Sequence, residues 1–154
     1  MIAVLQRVRQ ASVSVDGRVV GECAEGLYIL LGVSREDTER DAEALAKKVV
    51  DLRIFTDENG KMNRSLLDID GEMLVVSNFT LLAAYRRGNR PDYMAAAAPD
   101  EANRLYEYFA ELCRGRVKKV ATGSFGAHMI TDMTTDGPVT VVMDSKVLLG
   151  PKKD

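Results

Sequence analysis

Histidine is almost missing from this chain: His128 is the only one in 154 residues. That count excludes a multi-histidine metal centre, and any Ser-His-Asp relay would have to run through His128 alone. Cysteine is nearly as scarce. Cys23 and Cys113 have the spacing of neither a metal knuckle nor a redox pair, so they read as buried thiols acting as small apolar groups. No apolar run is long enough to cross a bilayer as a helix. The opening MIAVLQRVRQ lacks the basic, apolar and small-residue layout of a secretory signal, and the sequence predicts a cytoplasmic protein. Excess positive charge is lacking too. The net charge is −2, so no global field draws nucleic acid. Basic residues gather only locally, in YRRGNRP (85–91), RGRVKK (114–119) and the PKK tail (151–153), and such clusters are most often solvated surface.

What is present is ordinary globular composition, with 46% hydrophobic and 29% charged residues. The length predicts one domain over residues 1–154 with a real core. Ile2 to Arg9 and ASVSVD alternate apolar and polar residues, as half-buried strands do. Asp16-Gly17 signals a type I′ hairpin, RVVGE returns as a strand, and GLYILLGVS reads as a strand covered on both faces. Thr38 caps a predicted helix whose apolar stripe is Ala42, Leu45, Ala46, Val49 and Val50. A short strand, an Asn59-Gly60 turn and a long strand running through Leu82 follow, and AAYRRGNRPDYMAAAAP is a loop. A second helix starts near Pro99-Asp100, with Ala102, Leu105, Tyr106, Phe109 and Cys113 on one stripe and Gly115 as its stop. Three strands close the chain: VKKVATGSF, HMITDMTT and VTVVMDS. The sum is a mixed α/β domain with two helices and about eight strands.

Two predicted strands, VVSNFTLL and GPVTVVMDS, carry small polar residues inside apolar sequence. Period 2 places Asn78 and Thr80 on one face of the first, with Ser77 and Phe79 on the other. Thr140 is the polar counterpart in the second. A threonine in a strand is usually no more than a good β-former. Gly137-Pro138 puts the most permissive residue before the most restrictive one. It is either a turn that launches a strand or a device that presents backbone groups in an unusual orientation. A nucleophilic Ser77 or Thr80 would need an adjacent base, and spacing brings neither one nor His128 to them. Asp132, Asp136 and Asp144 follow no recognisable acid-base spacing. Any activity would therefore use backbone groups or a group brought by the substrate.

Together these stretches resemble the D-aminoacyl-tRNA deacylases, small homodimeric enzymes that free tRNA from D-amino acids. The resemblance spans nearly the whole chain and is carried by AVLQRVRQASVSVDG, GLYILLGV, LRIFTDENGKMNRSLLD, MLVVSNFTL, RRGNRPDY, GSFGAHM and DGPVT. It implies a barrel-like, mostly antiparallel or mixed sheet and a homodimer, with the 3′ end of aminoacyl-tRNA as partner. It implies no metal or organic cofactor, no DNA and no membrane. The family's first motif falls on Ser77, Asn78, Phe79, Thr80 and Leu81, and its second on Gly137, Pro138, Val139 and Thr140. The family's Gly-Pro bond is cis and enters the partner's pocket. There its two carbonyls face the substrate's α-ammonium, so that an L side chain would meet protein while glycine could not be excluded. Backbone N–H groups near Phe79 and Thr80 hold the developing oxyanion, and the terminal 2′-hydroxyl assists. Thr80 then positions rather than attacks. Arg7 corresponds to an arginine that braces the Gly-Pro segment, and YRRGNRP could supply the few phosphate contacts needed. Asn78 departs from the family's usual glutamine by one methylene. That departure leaves a second possibility, a non-catalytic module binding RNA ends on the same fold.

Overall fold

The protein is described by a computed structural model covering residues 1–151; Lys152 and Lys153 of the PKK tail lie outside the described residues. Strand β1 (Ile2–Val15) is unbroken for 14 residues. Strands β2 (Arg18–Cys23) and β3 (Gly26–Gly32) pair antiparallel with its second and first halves in turn. The β1–β2 turn has positive φ at both Asp16 and Gly17, as a type I′ hairpin requires. Helix α1 (Glu39–Asp51) follows, and its entry is tied by the Thr38 N–H donating to Asp41 Oδ2 at 2.9 Å. A small ribbon, β4 (Phe55–Thr56) and β5 (Met62–Arg64), folds at Asn59-Gly60. Next come β6 (Glu72–Ser77), a 3-10 turn (Phe79–Leu82), helix α2 (Pro99–Arg114), β7 (Val120–Thr122), β8 (Ile130–Asp144) and a short α3 (Ser145–Leu149).

The main sheet runs β2-β1-β3-β6-β7, with β8 on the remaining edge of β1. Its β3–β6 and β6–β7 pairs are parallel and the others antiparallel. The sheet curls until β2 meets β7: a Cβ on Gly21 would lie 2.3 Å from the Thr122 carbonyl oxygen, so only glycine permits that approach.

The predicted stripes of α1 and α2 are buried against one face, where Leu45, Val49, Leu105 and Phe109 meet Leu27, Ile29, Leu31 and Val75. Each such side chain contributes about 1.5–3 kcal/mol on burial. A smaller cluster on the other face gathers Val8, Val13, Tyr28, Leu74 and Val76. Cys23 and Cys113 are both buried free thiols. Burial raises their pKa to about 11 and about 12, which keeps them protonated and unreactive.

Three expectations need correction. The strand predicted through Leu82 stops at Ser77, because Asn78 caps a 3-10 turn there. HMITDMTT and VTVVMDS are one strand, since both pair with the unbroken β1 and the proline between them sits in a bulge. Asp144 ends that strand by accepting the Lys146 N–H at 2.9 Å, which starts a third helix beyond the two predicted.

Candidate active site

Beyond the end of β6 lies a cavity of about 670 Å³, bordered by Ser77, Asn78, Phe79, Tyr93, Phe125 and His128 among others. Strand β6 is held in place from behind. Tyr106 of α2 donates its hydroxyl to the Val75 carbonyl at 2.8 Å, and burial raises the Tyr106 pKa to about 12. Ser77, opposite Leu31 at the last ladder position, is half-buried. The Asn78 N–H donates to the Leu31 carbonyl at 2.8 Å, after which the chain leaves the sheet.

Asn78 then organises the turn. Its Oδ1 accepts from the Thr80 N–H at 3.2 Å and from the Thr80 hydroxyl at 2.5 Å. A short Asn or Asp side chain can fold back onto a group two residues ahead in this way, and here it is the neutral amide that does so. The Thr80 hydroxyl therefore points its proton at a neutral amide oxygen, which is too weak a base to activate a nucleophile. Phe79 is the first residue of the turn, where an N–H has no partner within the helix. Among the described residues nothing else accepts from it. Phe79 is 56% exposed, and its ring meets the Tyr93 ring edge-on, with centroids 5.1 Å apart.

The second motif lies elsewhere. From Gln6↔Thr140 to Val8↔Thr135, the single residue Arg7 on β1 faces Asp136 to Val139 on β8. Gly137-Pro138 is thus a mid-strand bulge, not the launch of a strand, and its peptide bond is cis. Gly137 and Pro138 are exposed, and Val139 packs partly against the main core. The Thr140 hydroxyl donates to Gln6 Oε1. Arg7, only 11% exposed at its side chain, fills the bulge from below. Its Nε donates to the Asp136 carbonyl at 2.8 Å, and its Nη1 donates to the Ile54 carbonyl at 2.9 Å. The Asp136 carboxylate adds an ion pair at 3.4 Å.

Within one chain the two motifs are not brought together: none of Gly137 to Thr140 borders the cavity beside Ser77 to Phe79. Nor do the three C-terminal aspartates converge. Asp132 faces Ser12, Asp136 pairs with Arg7, and Asp144 caps α3. Sequence reading missed Tyr93, Phe125 and His128 as cavity residues. Their loops carry no periodicity, and the one available signal was the motif stretches in which they stand.

Comparison with known proteins fits this geometry. The family model described as "D-Tyr-tRNA(Tyr) deacylase" matches residues 4–144. A D-aminoacyl-tRNA deacylase of Caldicellulosiruptor saccharolyticus is 57% identical over 146 residues, covering 95% of this chain and 98% of that one. One from Thermosipho africanus is 53% identical over the same shares. Among solved structures, the "c-Myc DNA Unwinding Element Binding Protein" superposes with a TM-score of 0.88 at 39% identity, covering 94% of this chain and 98% of its own. A probable eukaryotic D-amino acid tRNA deacylase shares the fold, with a TM-score of 0.78 at 17% identity over 93% of this chain and 98% of its own. With a family match over almost its full length and both motifs in place, this chain belongs to the D-Tyr-tRNA(Tyr) deacylase family.

Proposed function

We propose that this chain is a D-aminoacyl-tRNA deacylase, acting in the cytoplasm as a homodimer of one-domain subunits. The observation that carries the reading is the unused Phe79 N–H at the cavity edge, beside an Asn78–Thr80 pair that occupy each other. A preorganised backbone donor is what ester hydrolysis needs where, among the described residues, no side-chain base hydrogen-bonds to Ser77 or Thr80. Water adds to the ester carbonyl carbon, the Phe79 N–H steadies the oxyanion, and the bond to the ribose O3′ breaks. The ribose 2′-hydroxyl relays the proton that O3′ takes as it leaves. Thr80 positions the turn and does not attack. This arrangement also separates RNA from DNA, because DNA lacks that hydroxyl.

Stereochemical selection is assigned to the second motif, contributed by the partner subunit. The Gly137 and Pro138 carbonyls accept from the substrate's α-ammonium, a group that can only donate. With ammonium and ester both fixed, an L side chain aims at protein backbone and a D side chain aims outward. Such exclusion needs no side-chain reader, so many D-amino acids are accepted. Glycine has no side chain to reject, and glycyl-tRNA is hydrolysed as well. Dimerisation is supported by β8 itself. One edge of this strand pairs with β1, while Ile130, Met133 and Val142 stand 57%, 38% and 70% exposed. A long apolar edge strand left uncovered invites association.

The test is hydrolysis of D-tyrosyl-tRNA beside L-tyrosyl-tRNA by the purified protein without added metal. Rapid release from the D-ester alone is expected. No release from either, with charged tRNA still bound, would instead make the chain an RNA-end-binding module.

A further inference from the structure

The connection between the 3-10 turn and α2 leaves and returns at the rim of the cavity. It departs two residues after Leu82 and comes back through Tyr93, Ala96 and Ala97, which line the cavity. Its neck is closed by two hydrogen bonds between Ala84 and Asp92, at 2.7 and 2.8 Å. The return limb is strapped to the end of β3 by Arg35 N–H to the Ala95 carbonyl at 3.0 Å, and by Ala97 N–H to the Val33 carbonyl at 2.9 Å. Tyr93 fixes it to Phe79. The loop is therefore held in one position relative to the site.

Its tip, Tyr85 to Pro91, carries Arg86, Arg87 and Arg90 and no acidic residue, in a chain whose net charge is −2. Arg64, Arg104, Arg114 and Arg116 each lie within 3.1 Å of a carboxylate oxygen. Among the described residues, Arg86, Arg87 and Arg90 meet neither a carboxylate nor a hydrogen-bond acceptor, and all three are exposed. Tyr85 is 79% exposed. A fixed loop with three unpaired guanidinium groups and an open aromatic face suits a flexible polyanion whose units carry both phosphates and bases.

We infer that the loop Tyr85–Pro91 grips the single-stranded 3′ end of the tRNA, its three arginines on successive phosphates and Tyr85 stacked on a base. The inference rests on the deacylase reading above. An aminoacyl-adenosine seated in the cavity has its next nucleotides emerging over the rim, where this loop stands. Because the neck is already closed, little ordering is needed on binding. The loop also explains how a protein with no basic field engages RNA: the charge is concentrated where the strand leaves the site.

The experiment compares two substrates, D-tyrosyl-tRNA and the truncated 3′-O-D-tyrosyl-adenosine, which lacks the 5′ phosphate and the nucleotides attached through it. The R86Q/R87Q/R90Q variant is expected to lose about 10- to 100-fold in kcat/KM on the tRNA, through KM, and to match the wild type on the truncated ester. Its logarithmic salt dependence should become shallower by about 0.7 for each arginine removed. K47Q/K48Q, on an exposed face of α1, controls for bulk charge and should change neither. Equal loss on both substrates, or no loss on tRNA, would overturn the inference. Binding of uncharged tRNA gives a readout independent of turnover, and an unchanged Kd and salt slope in the triple variant would also overturn it. A wild-type protein that hydrolyses neither ester but binds tRNA through these arginines would refute the deacylase reading and leave the loop's role standing.

Discussion

Strands β6 and β8 each carry one of the two motifs, yet they are built in opposite ways. β6 is flanked by parallel neighbours on both edges, and Met73 to Val76 are buried. Its motif begins where the ladder stops, and Asn78 satisfies the turn from within. β8 pairs along one edge only, none of its 15 residues is fully buried, and its motif is a bulge braced from a single side. The first motif is complete in one chain. The second leaves Gly137 and Pro138 exposed on the surface of its own chain. The difference teaches that rigidity and exposure can be supplied separately: β6 fixes the proposed donor, and β8 holds the proposed selector at the surface.

Breaking the β6 side should have the largest effect. Phe79→Pro removes the proposed oxyanion donor while keeping a residue that fits the first position of a helical turn. Asn78 has φ −144° and ψ 95°, outside the α region that a following proline disfavours. A fall of about 10²–10³ in kcat is expected, whereas Phe79→Ala, which keeps the N–H, should lose much less. Single-turnover hydrolysis of D-tyrosyl-tRNA by both variants checks this, and equal losses would count against the donor.

On the β8 side, a Cβ at Gly137 would lie 2.2 Å from the Val139 backbone nitrogen, so Gly137→Ala must shift the bulge. Displacement by about an ångström costs on the order of 10²-fold in kcat/KM. Val139 is only half-buried against the core, so the fall in Tm should be small beside the loss of activity. A variant with normal activity would show that the bulge plays no part in the site.

Arg7→Ala sharpens the contrast by removing the brace without touching the motif. It strands the Asp136 and Ile54 carbonyls, at a cost of about 2 kcal/mol in stability and roughly tenfold in activity. Arg7→Lys should not restore it, since one ammonium cannot reproduce the guanidinium fork. Denaturant unfolding and kcat/KM read the two effects separately.

Thr80→Ala should do least. The hydroxyl donates to Asn78 Oδ1, and its loss relaxes the turn without removing the Phe79 N–H. A decrease of less than about tenfold is expected for one neutral hydrogen bond. A collapse of 10⁴-fold or more would restore Thr80 as nucleophile.

Much of the fold was legible because its signals are local. Asp16-Gly17 and Asn59-Gly60 announced their turns, the α1 and α2 stripes announced their buried faces, and GLYILLGV announced a strand covered on both sides. FTLL misled because its residues favour strands by propensity, while the Asn78 amide captures the backbone first. The Gly137-Pro138 bulge was hidden for another reason. It exists only because β1 continues unbroken opposite it, and that pairing spans more than a hundred residues of sequence. Arg7 was named as the brace by resemblance alone; its bond to the Asp136 carbonyl depends on that same long-range pairing, which no local signal carries. The motif stretches were readable in the sequence, whereas their placement at one cavity and one separate bulge required the three-dimensional chain path.

The central claim, that one copy's bulge completes the other copy's cavity, is tested most directly by mixing two inactive proteins. Phe79→Pro and Gly137→Ala variants, unfolded together and refolded at equal concentration, form mixed dimers in which one of the two sites joins an intact donor to an intact selector. With random pairing half the dimers are mixed, so activity on D-tyrosyl-tRNA should return to about one quarter of the wild-type level. Activity no higher than that of the two variants assayed separately would contradict the account, because it would place both motifs of a working site on the same chain.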